Sequence, residues 1–245
     1  MVNRLIPLQV ETNPSVLSHV QGVFMPNATT RLLANGAKGF VVEANDILEL
    51  GCGSGVIGLE LWQLEFQRRG GQNPPRLFMS DVSSLATELA KRNAEVLEVP
   101  ADVRAGSLFE PWSGMCFDLI VSDVSGVVPA IGQQLGWFMD VPNDSGADGT
   151  DLALSVISQS PQFLSSDGTL IMPVISLSLK DKIMDSFHET FSQVTLADSR
   201  RFPLGADPQQ LKNIRRDYPS IGIEFVSGVA TFSTEIYVLR TPKGQ

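Results

Sequence analysis

Three apolar segments of this chain end on a carboxylate, and each is followed by residues suited to a turn. Asp46-Ile-Leu-Glu-Leu50 carries Glu49 beside its end and runs into Gly51-Cys-Gly-Ser-Gly55; Arg76-Leu-Phe-Met-Ser80 stops at Asp81; Phe117-Asp-Leu-Ile-Val-Ser122 stops at Asp123. In open parallel sheets, ligands bind outside the carboxyl ends of the strands. Glycine is needed where a backbone takes positive φ or a ligand approaches it closely. The loop at 51–55 therefore reads as a ligand cradle, with negative groups at the neighbouring strand tips. A pyrophosphate gains nothing from a carboxylate beside it, whereas a ligand with an amino group and a sulfonium does.

The elements that position these residues follow from periodicity. Short apolar runs alternate with helical patterns from residue 46 onward, the signature of a parallel sheet with crossover helices. Strands are predicted at 46–50, 76–80, 101–106, 117–122 and 167–175, with a last pair at 192–199 and 235–242. Helices are predicted at 56–69, 83–97 with Ser83 or Ser84 as cap, 149–164 and 178–191. Residues 124–148 hold glycine and proline without a sustained period, so a functional loop is expected there. Residues 199–234 form an elaboration longer than a hairpin needs. Residues 1–40, with helix, turn and helix over 16–39, read either as a cap over the ligand face or as a packing arm.

Composition narrows the function classes. With 245 residues, 43% apolar and 18% charged, the chain is long enough for one large α/β domain with extensions. No apolar run is long enough to span a bilayer and the N-terminus has no signal layout, so the expected compartment is the cytoplasm, away from membranes. Two cysteines and two histidines are too few for a structural zinc site, and no metal is assigned. A net charge of −9 disfavours nucleic acid; the basic clusters are confined to 199–202 and 212–218.

The glycine spacing is ambiguous by itself, because Gly53, Gly55 and Gly58 also satisfy the Gly-x-Gly-x-x-Gly dinucleotide pattern. Ser54 lacks the preceding glycine of a nucleophile elbow, since position 52 is Cys52. Five segments taken together resolve more. Ile47-Leu-Glu-Leu-Gly-Cys-Gly-Ser-Gly-Val-Ile-Gly-Leu-Glu-Leu61, Phe78-Met-Ser-Asp81, Ala105-Gly-Ser-Leu-Phe-Glu-Pro111, Phe117 to Asp123 and Gly146 to Val174 resemble, in that order, the class I S-adenosylmethionine-dependent methyltransferases. The resemblance is nearest to the amino-methylating branch that includes the release-factor and ribosomal-protein glutamine methyltransferases, and covers roughly residues 22–175.

It implies a Rossmann-like, doubly wound, seven-stranded and mostly parallel sheet with a last antiparallel strand, in a domain spanning 41–245 behind the 1–40 segment. It also implies S-adenosyl-L-methionine as cofactor. Gly51, Cys52, Gly53 and Gly55 would pass under its methionine part and Glu49 would attract its ammonium. Asp81 would accept the ribose hydroxyls and Val82 would pack on adenine. Ser107, with Leu108 next, occupies a slot where an Asp commonly meets the adenine amino group, and a looser match at Met25-Pro-Asn-Ala-Thr-Thr-Arg-Leu-Leu33 puts Thr30 near the cofactor.

In the relatives the fourth strand ends in Asn-Pro-Pro-Tyr or Asp-Pro-Pro-Tyr, whereas here the residues are Asp123-Val124-Ser125-Gly126. The acceptor carboxylate is kept and the aromatic plate is lost. Asp123 is thus the candidate catalytic residue, orienting a nitrogen or oxygen nucleophile of a small-molecule or protein acceptor, with Trp137, Phe138 and Met139 available as a replacement wall and His19 as an alternative base. A non-catalytic relative that binds cofactor and protein is the other reading, and oligomeric state is left open.

Overall fold

The computed structural model describes residues 20–138 and 140–242. Its centre is one sheet in the order β3 (Ala101–Ala105), β2 (Arg76–Asp81), β1 (Asp46–Leu50), β4 (Phe117–Ser122), β5 (Leu164–Ile175), β8 (Val229–Pro242) and β6 (Phe191–Pro203), with β7 (Ile223–Val226) paired to β8 outside this path. The ladder is parallel from β3 to β5, and β8 runs antiparallel to β5, β6 and β7. The expected seven-stranded, mostly parallel sheet is present, and β7 is an eighth strand supplied by the elaboration.

Alternation along the central strands sends side chains to two apolar layers. On β1, Ile47 enters one core with Leu119 and Val121 of β4, while Leu48 and Leu50 enter the other with Ile120. All three β1 side chains are fully buried, each worth roughly 1.5–3 kcal/mol. The first layer is covered by α1 (Ala28–Ala37) and α2 (Val56–Arg68), with Ala90 and Ala94 of α3 (Ser84–Val96). The second takes Ala153, Val156 and Ile157 of α5 (Asp151–Gln159) and Ile183 and Phe187 of α6 (Lys180–Thr190).

The helix starts have chemical causes. Asn27 caps α1, its Oδ1 accepting from the Thr29 amide at 2.8 Å and the Thr30 amide at 3.3 Å. Ser83 caps α3 by accepting from Ala86, which settles the choice between Ser83 and Ser84. Asp207 and Gln210 close a capping box on α7 (Pro208–Asp217).

Two regions differ from the expectation from sequence. Residues 28–37 form one layer of the core, with Leu32, Leu33, Ala34 and Ala37 buried and Gly36 so close to β8 that a Cβ there would lie 2.9 Å from Ile236 Cγ2. Only the N-terminal turn of α1 reaches the strand tips; the first predicted helix of the 16–39 pattern falls largely outside the described residues. The second region is 124–148, which contains α4 (Pro129–Leu135) and builds a third small core. There Val127, Val128 and Ile131 pack with Leu177, Leu204, Ile214 and Phe232, so the loop and the elaboration fold together above the carboxyl ends of the strands. Short α4, which opens on Pro129, owes its place to these partners, which local periodicity does not register.

Candidate active site

The strand tips converge as their pairing requires. β1 lies between β2 and β4, with Leu50 opposite both Ser80 and Ser122, so the residues that follow, Gly51, Asp81 and Asp123, leave the sheet side by side. Gly51 has φ +67, and a Cβ on it would lie 3.1 Å from Val124 Cγ1 and 3.3 Å from the Asp123 carbonyl. Glycine is needed there both for the left-handed turn and for the close approach to β4.

Glu49 is 1% exposed and points to the start of α2, where its Oε2 accepts the Gly58 amide at 2.9 Å. Burial pushes its pKa well above the ordinary range; the Gly58 amide opposes this, and the Asp123 and Asp81 carboxylates push it further up. The three carboxyl groups are thus neighbours at the strand tips, Glu49 being the buried one. A Cβ on Gly58 would lie 2.7 Å from Glu49 Oε2, so the α2 N-terminus is taken up by the protein's own carboxyl. That removes the dinucleotide reading of Gly53, Gly55 and Gly58, which needs the helix N-terminus free for a pyrophosphate.

Asp81 ties the glycine loop to the second strand tip. Its Oδ2 accepts from the Gly53 amide at 2.9 Å and its Oδ1 from the Ser83 amide at 2.8 Å. Burial raises its pKa, and these backbone donors, with the Val82 amide, pull it back. Val82 beside it is 62% exposed, an apolar face left open at the crevice. A Cβ on Gly53 would meet only the Phe24 carbonyl, at 3.8 Å, so this part of the loop is open as well.

Asp123 is half-buried, and its pKa is raised to about 6 by burial; a hydrogen bond from the Thr30 side chain acts in the opposite direction. Thr30, expected near the cofactor, is thereby in contact with the candidate catalytic group. Gly55 is left-handed at φ +77 and packs on Met79 and Ala90, while the Cys52 side chain lies in the core; these two shape the loop from behind. Ser107 is exposed, with its amide bonded to Glu110, and Leu108 turns into the second core at φ +46. Neither side chain is tied to the three carboxylates by any contact in this structure.

Sequence reasoning missed what lies over the crevice. Residues 20–27 cross the glycine loop, and Phe24 stacks on Phe138 from the segment after β4, with ring centroids 5.8 Å apart. Trp137 instead packs inward on Phe232, and Met139 and His19 lie outside the described residues. Where relatives carry Pro-Pro-Tyr, Ser125 donates to Asn143 Oδ1, and Ser145 donates to the Val127 carbonyl at 2.6 Å, so side-chain hydrogen bonds hold this turn. No cluster of three or more metal-binding side chains occurs among the described residues.

Known proteins fit this geometry. Residues 8–124 match the family model described as "Methyltransferase small domain". Over that stretch, just under half of its length, the chain is similar to this methyltransferase family. Similar proteins include the ribosomal protein L11 methyltransferase of Thermosipho africanus, 28% identical over 59% of this chain and 43% of its own length, and the release factor glutamine methyltransferase of Geobacter sulfurreducens, 27% identical over 69% and 58%. This chain thus spans about half the length of the curated relatives it matches. The methyltransferase fold is also that of the T. thermophilus 16S rRNA N2 G1207 methyltransferase in complex with AdoMet and guanosine, at 13% identity and a TM-score of 0.54, over 89% of this chain and 43% of that one.

The crevice suits the family's cofactor on its own chemistry. Three carboxyl groups share it, and the partners that hold them are backbone amides and the Thr30 side chain. A ligand with an ammonium and a sulfonium would favour the charged form of these carboxyls, which burial by itself disfavours.

Proposed function

We propose that this protein transfers a methyl group from S-adenosyl-L-methionine to a nitrogen or oxygen of an acceptor, with Asp123 positioning the nucleophile and taking its proton. The cofactor supplies an electrophilic methyl on a sulfonium, whose sulfur departs as a neutral thioether. In this reading the Gly51–Gly55 backbone and Glu49 hold the methionine end, while Asp81 and the exposed Val82 hold ribose and adenine. Ser107 and Leu108 keep a role only through the backbone of their turn.

The observation that carries the reading is the position and basicity of Asp123. An ordinary exposed aspartate is too weak a base at neutral pH. Here burial lifts the group to about 6 while keeping it beside Glu49 and Asp81. A carboxylate in a partly desolvated crevice favours the positive charge that develops on an attacking amine and accepts the proton afterwards. Without Pro-Pro-Tyr the acceptor loses the plate that grips a planar amide. The Phe24 and Phe138 rings, already together over the opening, are the apolar surface available in its place.

The acceptor is proposed to be a protein, as the names of the ribosomal protein L11 and release factor methyltransferases describe for those two relatives. The test is binding of S-adenosylhomocysteine by calorimetry, followed by transfer of labelled methyl to candidate acceptors by wild type and Asp123→Ala. Binding by both with transfer by wild type alone supports the reading. Binding without transfer by either favours a non-catalytic cofactor-binding relative, and absence of binding sinks both.

A further inference from the structure

The elaboration beyond the strand tips is an arm with an unusual surface. β6 and β8 run on past the end of β5 as a long antiparallel pair, and β7 joins β8 through a two-residue turn at Ser227 and Gly228, both in the left-handed region at φ 50 and 82. The tip presents Phe225, Val226 and Val229, which are 51%, 48% and 51% exposed. Three apolar residues thus stand exposed around one tight turn.

Cations surround this tip. From Arg200 to Tyr218 there are five basic residues against two acids, in a chain of net charge −9. Arg216 pairs with Asp217 and Arg201 with Glu224, while Asp207 is spent as the cap of α7. That leaves Arg200, Lys212 and Arg215 exposed, with no carboxylate partner among the described residues. The Arg215 guanidinium lies 5.7 Å from the Phe225 ring centroid, over its face. An exposed aromatic ring beside arginine is a feature of protein-docking surfaces, and the two valines extend the apolar patch around it. Three free cations are few for gripping a polyphosphate chain, against a molecule whose overall charge repels one.

The geometry connects the arm to Asp123. Val121 is level with Ile171, and Ile171 with Val238, so Asp123 is about level with Ile236. Val229 stands seven residues further along β8, on the order of 20 Å beyond that level at the rise of a strand. An extended peptide covers this in roughly six or seven residues, whereas an amino-acid-sized metabolite falls far short. The base of the arm shares its core with Val127 and Val128, directly after the Asp123 turn.

We propose that the hairpin tip and α7 dock a protein acceptor that carries apolar residues flanked by carboxylates, so that its methylated residue reaches Asp123 some six or seven residues away. This rests on the methyl-transfer reading and names the acceptor class for the same site. Outside the arm the surface is acidic on balance and repels such a segment, so the free cations orient its approach.

The probe is a fluorescein-labelled synthetic peptide of repeated Glu-Leu-Phe-Glu, compared with a version carrying Lys for Glu, read by fluorescence anisotropy. The expected result is binding of the acidic peptide alone, weakened about tenfold or more in the Phe225→Ala, Arg215→Glu double variant and by added salt. Both residues are solvent-exposed, and unchanged S-adenosylhomocysteine affinity in the variant certifies its fold. Equal binding of the basic peptide, no binding of either, or an unaffected variant overturns the proposal. Binding of an oligouridylate that the same variant abolishes, in place of the acidic peptide, overturns it in favour of a nucleic acid. Failure of the wild type to bind S-adenosylhomocysteine counts against the crevice, and is read separately from the peptide result.

Discussion

Thr30, on the first turn of α1, donates its side-chain hydrogen bond to the carboxylate of Asp123 at the end of β4. The bond joins the N-terminal segment to the residue assigned the acceptor's proton. It favours the charged form of Asp123, whose pKa stands at about 6 in spite of it. Thr30→Val keeps the shape and removes the donor, so Asp123 becomes a still weaker acid. The pH at which turnover is half-maximal should then move upward, while Thr30→Ser restores the wild-type profile. A profile identical in all three proteins would dissociate Thr30 from the chemistry.

Asp123 also predicts a pH dependence of stability. Its folded pKa, about 6, lies above the usual aspartate value, so between roughly pH 4 and 6 the folded state holds a proton that the unfolded state has released. Stability falls as pH rises through that window. Asp123→Asn removes this loss, so the variant should be more stable than wild type at pH 7, on the order of 1–3 kcal/mol, with the difference shrinking toward pH 4. Denaturant melts at the two pH values check this, and methyl transfer by the same variant should be severely reduced. Activity and stability then move in opposite directions, as expected of a strained functional group.

Gly58 tests the contact that fills the helix N-terminus. A Cβ there would lie 2.7 Å from Glu49 Oε2 and 3.1 Å from Leu77 Cδ1. Gly58→Ala therefore displaces the buried carboxyl or the apolar side chain, an overpacking that costs roughly 1–3 kcal/mol. S-adenosylhomocysteine affinity should drop with it, since Glu49 is assigned to the ligand's ammonium. Undiminished affinity in the Gly58→Ala variant would show that Glu49 serves only the fold.

Much of this was legible beforehand, because the parallel core obeys local rules. The central strands are apolar runs whose carboxyl ends sit by topology beside one another, and the helices after β1 and β2 start at Gly55 and at the capping Ser83. Glu49, Asp81 and Asp123 could therefore be brought together from sequence. Thr30 was placed near the strand tips, and its hydrogen bond to Asp123 was not foreseen, since a hydroxyl near a strand tip does not declare which group it faces. Ser107 and Leu108 were carried over from a resemblance, and no local pattern announced the left-handed turn that sets the Leu108 side chain against the second core. Phe24 and Phe138 went unpaired because 114 positions separate them and neither lies in a periodic segment. Asn27, two residues before Thr29 and followed by an apolar helical pattern, was a capping signal that could have fixed the start of α1.

The Phe24 and Phe138 stack yields the last prediction. The two rings come from the segments before α1 and after α4, and Phe138 packs against Gly132 of α4 so tightly that a Cβ there would overlap its ring. Phe138 is therefore fixed by α4, whereas Phe24 is carried by the segment that crosses Gly53. An offset stacked pair is worth roughly 0.5–1.5 kcal/mol beyond its burial, enough to keep the opening covered but not to lock it. If the rings replace the missing plate on the acceptor, Phe138→Ala should raise KM for the acceptor by about tenfold and leave S-adenosylhomocysteine affinity nearly unchanged, and Phe138→Tyr should restore it. If they only cover the cofactor, the same substitution should weaken S-adenosylhomocysteine binding and leave the acceptor KM in place. Calorimetry and steady-state kinetics on the one pair of variants separate the two roles, and a protein indifferent in both assays removes the aromatic pair from the site.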